Sequence, residues 1–462
     1  MIRELKKIVG PANVTTAPED LLCYSYDGTA LEYQPEAVVF PGSVEEVSLV
    51  MQLAYKNSIP VVPRGAGTGM TGGSLPVAGG LVMAMSRFDR ILEIDSENQI
   101  AIVEPGVITG QFQEEVKRKG LFYPPDPASK GFCTIGGNVA ECAGGPSAVK
   151  YGVTRDYILG LEVVLPNGGI MATGVRTAKG VVGYDLTRLF VGSEGTLGVI
   201  TKIILKLLAC PTDKRTFLVL CPSLQRAVAL VSEILSEHLP CTLEYMDRTA
   251  IKIVSLGLPY ELTPGTEAML LIELDGDSES VKSQTKKLSG FLGKQTDLLA
   301  VKQAESQAEA DSLMEARRSI SPAAFQLKPH KMSEDVVVPR TRIPDLVNFI
   351  ERLGKELDIT IFTFGHAGDG NIHVNIMLDR EDPEEVKQCE IAKKRLFEHV
   401  IQLSGTLSGE HGIGITKAGY LPLELDENSL KIMRQIKNLF DPKNIMNPGK
   451  IFLQDDVQEK ND

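Results

Sequence analysis

The spacing of apolar and polar residues changes repeatedly along the chain, and each change marks a predicted element. Apolar residues recur every three to four positions over residues 44–56, which predicts an amphipathic helix. Ser43 and Glu46 form a capping box at the start of that helix. The short apolar runs 59–63 and 81–85 are typical of buried strands, and a glycine-rich stretch lies between them.

The second half of the chain alternates predicted strands and helices, an order that favours an antiparallel sheet backed by helices. One strand is predicted to begin at residue 217, and others at 242–246, 269–273 and 336–338. One helix is predicted to begin after residue 223 and another to end at residue 357, and further helices are predicted at 281–292, 304–320 and 384–403. The helix 304–320 contains Arg317 and Arg318, and we assign Arg318 to a solvated face.

Residues 427–440 show the spacing of a further amphipathic helix. We predict that its apolar stripe packs in the core; the stripe comprises Leu430, Met433, Ile436, Leu439 and Phe440.

Two strands, 359–364 and 372–378, flank a turn of small residues and predict a hairpin. Such a hairpin brings His366 and His373 close together across the turn. Because successive side chains of a strand point to opposite faces, His373 and Asn375 share a face.

The candidate chemistry is concentrated in the patches 364–373 and 408–412, which contain three of the six histidines. His366, His373 and Glu410 would form an N,N,O ligand set that suits zinc, iron or manganese and leaves positions open for substrate. His411 then remains as a general base. For a single histidine, the simpler interpretation is that its side chain caps a turn. The combination of two histidines with the adjacent Glu410 and His411 favours a functional site.

The glycine-rich stretch 64–73 includes Gly67-x-Gly69-x-x-Gly72, which formally matches the dinucleotide fingerprint. That fingerprint requires a helix at the glycines, but Pro76 and the strand 81–85 follow instead. The Rossmann interpretation therefore fails. What remains is a strand–loop–strand element whose amide N–H groups can bind a pyrophosphate.

Composition narrows the class of protein. A chain of 462 residues predicts two or three domains, and a net charge of -12 argues against nucleic acid and anionic membrane surfaces as partners. No apolar run approaches the length of a bilayer span, and the first residues do not begin a signal peptide. The seven scattered cysteines suit a reducing cytoplasm and provide no iron–sulfur ligand set, so any membrane link would run through another subunit.

Further clusters of small residues at 124–129, 134–138, 144–145, 151–152 and 192–200 indicate a large flat ligand that lies along main chain. With these loops, residues 38–207 resemble the FAD-binding domain of the vanillyl-alcohol oxidase / p-cresol methylhydroxylase superfamily. The two histidine patches resemble its branch of FAD-linked D-2-hydroxyacid dehydrogenases, which includes glycolate oxidase flavoprotein subunits and D-lactate dehydrogenases. The likeness covers nearly the whole chain, including 447–452.

The resemblance implies an α+β fold: a two-lobed FAD-binding domain over residues 1–211, an antiparallel-sheet α+β substrate cap over 212–407, and a C-terminal helical segment, 408–462, that completes the active site. Relatives with covalently bound flavin have a histidine in the first glycine loop, where this chain has Thr68 and Met70, so FAD is expected to bind non-covalently. The residues expected to bind FAD are Arg64, Gly65, Ala66, Gly67, Thr68, Gly69, Gly73, Pro125, Ser129, Gly136, Gly137, Asn138, Gly145 and Ile200.

The resemblance also assigns roles at the substrate. His366, His373 and Glu410 match the metal ligands, His411 matches the catalytic base, and Arg317 and Asn375 match residues that contact the substrate. Relatives that use diacids place a lysine two residues before the position of Asp335, where this chain has Ser333. Lys331 is close by but out of register; it is a third candidate for substrate binding, and the departure at Ser333 favours a small substrate.

The expected activity is oxidation of D-lactate or glycolate to the 2-oxo acid, with electrons passed to an iron–sulfur subunit, an electron-transferring flavoprotein or a quinone-linked partner. A homodimer is compatible with the sequence. The alternatives are an oxidase that reduces oxygen, a D-2-hydroxyglutarate dehydrogenase, and an FAD-containing electron-transfer subunit without catalytic activity. A purely metal-dependent hydrolase is opposed by the glycine-rich loops.

Overall fold

The computed structural model describes residues 1–453, and the chain divides into two compact units. The first unit comprises Met1–Gly144, Val153–Cys210 and the described residues from Glu410 onward. The second unit comprises Gly145–Gly152 and Pro211–Gly409.

The strands are β1 (Val14–Thr15), β2 (Ala37–Val39), β3 (Val61–Arg64), β4 (Leu81–Ala84), β5 (Ile91–Asp95), β6 (Ile100–Val103), β7 (Leu121–Phe122), β8 (Ile158–Val164), β9 (Ile170–Gly174), β10 (Val199–Lys206), β11 (Leu208–Ala209), β12 (Asp213–Cys221), β13 (Thr242–Asp247), β14 (Ala268–Gly276), β15 (Ala300–Gln303), β16 (His330–Val337), β17 (Ile361–His366) and β18 (Asn371–Leu378).

The helices are α1 (Ile2–Val9), α2 (Pro18–Cys23), α3 (Val44–Asn57), α4 (Thr109–Arg118), α5 (Ile135–Glu141), α6 (Ala148–Tyr151), α7 (Leu186–Phe190), α8 (Leu224–Glu237), α9 (Arg248–Val254), α10 (Ser278–Leu292), α11 (Gln307–Ala323), α12 (Ile343–Leu357), α13 (Pro383–Gln402), α14 (Leu421–Glu424) and α15 (Glu427–Phe440).

The first unit contains two larger sheets. One has the order β1-β2-β4-β3, with β2, β4 and β3 parallel, and the other is antiparallel with the order β5-β6-β10-β8-β9. Helix α3 buries Val47, Met51 and Ala54 in the core beside the first sheet. The predicted capping box is confirmed in part: Ser43 Oγ accepts from the Glu46 N–H at 3.3 Å, but the Glu46 carboxylate accepts at 2.6 Å from the N–H of Gly42, one residue before the N-cap.

The second unit is built on a seven-stranded sheet with the order β15-β12-β14-β13-β17-β18-β16, in which every neighbouring pair is antiparallel. Helices α9 and α11 bury apolar residues such as Ile251, Leu313 and Ile320 in a core shared with that sheet. The expected antiparallel α+β architecture is confirmed, because helices and strands of this unit share one hydrophobic core.

Several predicted bounds are corrected by pairing across the sheets. The strand expected at 59–63 is β3, Val61–Arg64, because only these residues pair with β4. The strand expected at 336–338 is the longer β16, whose polar residues are aligned by β18. The helix expected over 304–320 is α11, Gln307–Ala323, on which Arg318 is half-buried rather than fully solvated.

The prediction of a buried apolar stripe on the C-terminal helix was wrong in part. Helix α15 has the predicted bounds, and Leu430 is buried, but Leu439 is 79% exposed. The charged Lys437 is buried instead, because its ammonium donates to Asp441 and to the carbonyl oxygens of Thr196 and Met446. Three acceptors compensate for the loss of water around the ammonium.

Among residues 1–453, no helix combines the length and the apolar character that crossing a bilayer requires.

Candidate functional site

The glycine loop of the first unit follows β3 and precedes β4, with no helix at the glycines. Gly67 and Gly72 have φ angles of +69° and +83°, a region that favours glycine. Across the described chain, the amide N–H groups from Gly65 to Ser74 donate to no backbone carbonyl. The loop therefore offers a row of donors that fits the pyrophosphate of FAD.

Arg64 shapes this loop from inside. Its guanidinium is buried and donates to Tyr26 O at 2.7 Å and to Ser74 Oγ at 3.2 Å. A side chain at Gly67 would lie 2.2 Å from Arg64 Nη2, and one at Gly65 would lie 2.4 Å from Thr134 Oγ1. Close packing therefore disfavours a side chain at both positions, and the positive φ of Gly67 disfavours one there as well. Burial lowers the pKa of Arg64, although the Asp27 carboxylate acts in the opposite direction.

The remaining predicted flavin residues are spread over several elements. Gly136 and Gly137 lie in the first turn of α5, where Thr134 Oγ1 accepts from the Gly137 N–H at 3.2 Å. The side chain of Asn138 is occupied by the protein, since its Nδ2 donates to Thr109 Oγ1 at 2.8 Å. Five further positions are placed as follows: Ala66, Thr68 and Gly69 in the glycine loop, Pro125 and Ser129 in the segment before α5.

Two predicted flavin positions lie outside these segments. Ile200 is half-buried on β10 opposite Val163. Gly145 belongs to the second unit, where its carbonyl oxygen accepts from the Ala148 N–H at 3.0 Å. Within the first unit, Gly73 closes the glycine loop, and its carbonyl oxygen accepts from Asn447 Nδ2 at 2.7 Å.

The loop that contains His411 is held by residues that the sequence did not single out for this role. The Thr71 hydroxyl donates to His411 O at 2.9 Å, and the Glu194 carboxylate accepts from the N–H groups of Ile413 and Gly414, each at 2.7 Å. Burial raises the pKa of Glu194, and those two N–H groups oppose the increase. The same loop that is expected to bind pyrophosphate therefore also holds the segment of the predicted base.

In the second unit, the two predicted histidine ligands lie on the hairpin β17–β18. His366 ends β17, and His373 lies on β18 opposite Phe364. Gly370, with φ at +92°, allows the tight turn between the strands. The two Nε2 atoms are 3.3 Å apart. The hairpin thus brings together two imidazoles that are seven positions apart in the sequence.

Glu410 directly follows Gly409, the last residue of the second unit. The Gly409 N–H donates to Asp335 Oδ2 at 2.9 Å, and Asp335 lies on β16 opposite His373. One ligand atom each of His366, His373 and Glu410 lies within 4.8 Å of the others.

This arrangement fits a divalent metal ion. Two nitrogens bound at about 2.05 Å by a tetrahedral zinc ion lie about 3.3 Å from each other, and the observed Nε2–Nε2 distance is also 3.3 Å. Two nitrogens and a carboxylate are a donor set that zinc, iron and manganese accept.

Glu244 is the residue of this site that the sequence analysis missed. It is fully buried on β13, with Oε1 2.6 Å from His366 Nδ1 and Oε2 2.5 Å from Arg317 Nη2. Burial acts to raise the pKa of Glu244, but the charges of Arg317 and His366 outweigh burial and lower it. A glutamate between the apolar neighbours Leu243 and Tyr245 was the one available signal in the sequence.

The predicted substrate residues lie on the same sheet and on α11. Arg317 is buried, with its guanidinium 4.5 Å from the centre of the Phe364 ring. Asn375 is buried on β18, and its Oδ1 accepts from Ser333 Oγ at 3.3 Å. Within residues 1–453, Arg317 Nε and Asn375 Nδ2 have no hydrogen-bond acceptor. Because such buried donors cost about 1–3 kcal/mol each, a bound ligand would stabilise both.

Lys331 lies further along β16, opposite Met377, whereas Ser333 lies opposite Asn375. The Lys331 ammonium donates to Ser321 O at 2.9 Å and to Ser321 Oγ at 2.5 Å. Burial lowers the pKa of Lys331 to about 8.

Two protein-family models match this chain, one mainly in the first unit and one mainly in the second unit. A model described as "FAD binding domain" matches residues 35–174, and one described as "FAD linked oxidases, C-terminal domain" matches residues 210–451. The chain is 44% identical to glycolate oxidase subunit GlcD of Bacillus subtilis (strain 168), covering 98% of this chain and 96% of that protein. It is 35% identical to a D-lactate dehydrogenase of Anaerostipes hadrus, covering 98% and 97%.

Among solved structures, p-cresol methylhydroxylase with substrate bound is similar, with a TM-score of 0.82 at 18% identity over 100% of this chain and 97% of that one. The fold is therefore that of a flavoprotein of the vanillyl-alcohol oxidase and p-cresol methylhydroxylase type. The chain belongs to the FAD-linked oxidase family, and its cofactor is FAD. Within that family it is an oxidoreductase of the glycolate oxidase subunit and D-lactate dehydrogenase type.

Proposed function

We propose that this protein is a dehydrogenase that uses non-covalently bound FAD and a divalent metal ion to oxidise D-lactate or glycolate to the 2-oxo acid. The observation that supports this proposal most directly is the 3.3 Å separation of the Nε2 atoms of His366 and His373, with Glu410 close to both. Zinc, iron and manganese suit these three ligands.

Arg317 and Asn375 bind and orient the acid in this proposal. The Arg317 guanidinium is permanently charged and planar, which suits a carboxylate. Asn375 Nδ2 is a buried donor with no acceptor among residues 1–453, and an oxygen of the substrate provides one. His366, His373 and Glu410 would hold the metal ion, which would supply a Lewis acid that lowers the pKa of the substrate hydroxyl.

His411 accepts the hydroxyl proton as the general base, a contribution of about 10²–10⁴-fold to the rate. FAD, when bound, would supply the acceptor for the two electrons and the hydrogen from C2. One proton on His411 and one hydrogen with two electrons on FAD balance the conversion of the alcohol to the ketone. The electrons then pass to a separate partner, for which an iron–sulfur subunit or an electron-transferring flavoprotein is the proposal, and a homodimer is compatible with it.

The proposed small substrate rests on Ser333. Its short side chain lies opposite Asn375, at the position where diacid-using relatives have a lysine, and Lys331 is held by Ser321 instead. D-2-hydroxyglutarate is the alternative substrate, and Lys331 would then contact its distal carboxylate. Comparison of KM for a monoacid and a diacid in wild-type protein and Lys331→Met distinguishes the two.

The test is an anaerobic spectral titration of the FAD-loaded protein with D- and L-2-hydroxy acids. We expect D-lactate or glycolate to bleach the flavin, and L-lactate to leave it oxidised. Bleaching by D-2-hydroxyglutarate alone would select the alternative substrate, and no bleaching by any acid would indicate an electron-transfer subunit. Rapid peroxide formation when air is admitted would identify an oxidase, and the proposed cytoplasmic location is tested by fractionation.

A further inference from the structure

Glu244 contacts two groups with different proposed roles. Its Oε1 lies 2.6 Å from Nδ1 of the ligand His366, and its Oε2 lies 2.5 Å from Nη2 of Arg317. The side chain is fully buried, so neither oxygen contacts water, and the two protein groups replace water as their partners. A buried carboxylate that lost them would be strongly destabilising.

The contact with His366 determines which ring nitrogen can bind a metal ion. A carboxylate oxygen only accepts hydrogen bonds, so Nδ1 must hold the proton that lies between them. Nε2 then presents its lone pair, and this is the atom that lies 3.3 Å from His373 Nε2. Carboxylates that hold metal-binding histidines in this way orient the ring and strengthen it as a ligand.

The contact with Arg317 is made by the other oxygen of the same carboxylate, Oε2. The ion pair and the Phe364 ring, 4.5 Å from the guanidinium carbon, hold the plane of the guanidinium. Because Nε keeps no hydrogen-bond acceptor within residues 1–453, a donor remains for an anion. One buried carboxylate thus holds both a proposed metal ligand and the proposed substrate-binding cation.

We infer that Glu244 is a positioning residue that sets the orientation of His366 for metal binding and of Arg317 for binding the substrate carboxylate. The inference rests on the proposed function, because it assumes a metal ion at His366. It predicts that a single change at Glu244 weakens metal binding and raises KM together, whereas the flavin spectrum stays normal.

The test compares Glu244→Gln with Glu273→Gln in the FAD-loaded full chain. Glu273 is a matched control, because it is a buried carboxylate on the neighbouring strand β14 and is held by Thr216 and Lys214. In Glu244→Gln the new amide must turn an N–H group toward either His366 Nδ1–H or Arg317, so one donor faces another. Co²⁺ and Zn²⁺ are titrated without substrate, and the visible absorption of Co²⁺ reports its coordination.

We expect Glu244→Gln to bind both metals about 10–100-fold more weakly, with an altered Co²⁺ spectrum and a raised KM for D-lactate at saturating metal. Glu273→Gln should retain wild-type affinity and KM. Glu244→Asp keeps the charge but is too short to reach both partners, so it provides the same test with an intermediate loss if Glu244→Gln fails to fold.

Wild-type metal affinity in both Glu244 variants would overturn the inference while leaving the proposed function intact. A wild-type protein that binds neither metal, or whose flavin no 2-hydroxy acid reduces, would overturn the proposed function and the inference with it. An equal loss of affinity in Glu273→Gln would show that any buried charge of this sheet has the same effect, which also contradicts a specific role for Glu244.

Discussion

The Thr71 hydroxyl donates a hydrogen bond of 2.9 Å to the backbone carbonyl of His411, across 340 residues of sequence. Thr71 lies in the glycine loop that is expected to bind pyrophosphate, and its own carbonyl accepts from the Ile415 N–H at 2.8 Å. The position of the proposed base thus depends on the conformation of a cofactor loop. We therefore expect the conformation of this loop to affect proton transfer by His411, with Thr71 as one of the residues that connect them.

Thr71→Val should slow flavin reduction while FAD remains bound. The change removes one hydrogen bond, worth about 1 kcal/mol, and so the expected fall in rate is about 2- to 10-fold. Stopped-flow reduction by D-lactate at saturating metal measures it. Thr187→Val is the control, because that buried hydroxyl bonds Thr173 and the rate should not change. Equal rates for wild-type protein and Thr71→Val would show that the contact does not position His411.

Denaturation should release FAD into the supernatant, because Thr68 and Met70 provide no imidazole for a covalent link in the glycine loop. Acid precipitation followed by absorption spectra of pellet and supernatant is the measurement. Flavin that stays with the precipitated polypeptide would contradict non-covalent binding.

Arg317→Met should raise KM for D-lactate by about 10- to 150-fold, because hydrogen bonds to a charged group contribute about 1.5–3 kcal/mol. Arg318→Met is the matched control on the same helix and should have a wild-type KM. Thermal unfolding is recorded beside the kinetics, since Arg317→Met also removes a partner of Glu244. An unchanged KM would remove Arg317 from the substrate site.

Four variants separate the proposed base from the proposed ligands. His366→Ala, His373→Ala and Glu410→Ala each remove a ligand, so metal content and flavin reduction should fall together. His411→Ala should keep the metal and lose rapid flavin reduction, because a proton acceptor is missing. Elemental analysis and stopped-flow absorption are the measurements.

Complete loss of metal in His411→Ala would mean that His411 is a ligand rather than the base. If all four variants retained the metal and the wild-type rate of flavin reduction, the histidine hairpin would have only a structural role.

Lys331 should make the stability of the protein rise with pH. Burial lowers its pKa from 10.5 to about 8, so between these values the unfolded chain binds a proton that the folded chain has released. The free energy of unfolding contributed by this residue therefore increases from about pH 8 to pH 10.5 and is lost as pH falls. Urea denaturation of wild-type protein and Lys331→Met over that range measures the difference, which should change steadily with pH. A constant difference would mean that Lys331 is as well solvated folded as unfolded.

Local patterns were sufficient to predict much of this protein. The N-cap of α3 is a hydrogen bond between near neighbours, and Ser43 Oγ accepts from the Glu46 N–H as predicted. Period-two alternation placed His373 and Asn375 on one face of a strand, and the strand β18 has both of them buried. The evidence against a Rossmann fold also lies in neighbouring residues, because Pro76 and the following strand leave no room for a helix. Residues a few positions apart make these features, so the chain itself contains the information.

Other features depend on partners that are distant in sequence. Glu244 meets His366 from 122 positions away, and Glu194 meets Gly414 from 220 positions away. No spacing rule links such pairs, because the sheet and the loops bring them together only after folding. The same reason explains α15, where Leu439 is exposed and Lys437 is buried. Helical period predicts which residues share a face, but only the surrounding carbonyl oxygens and the absence of a packing partner decide which face is inside.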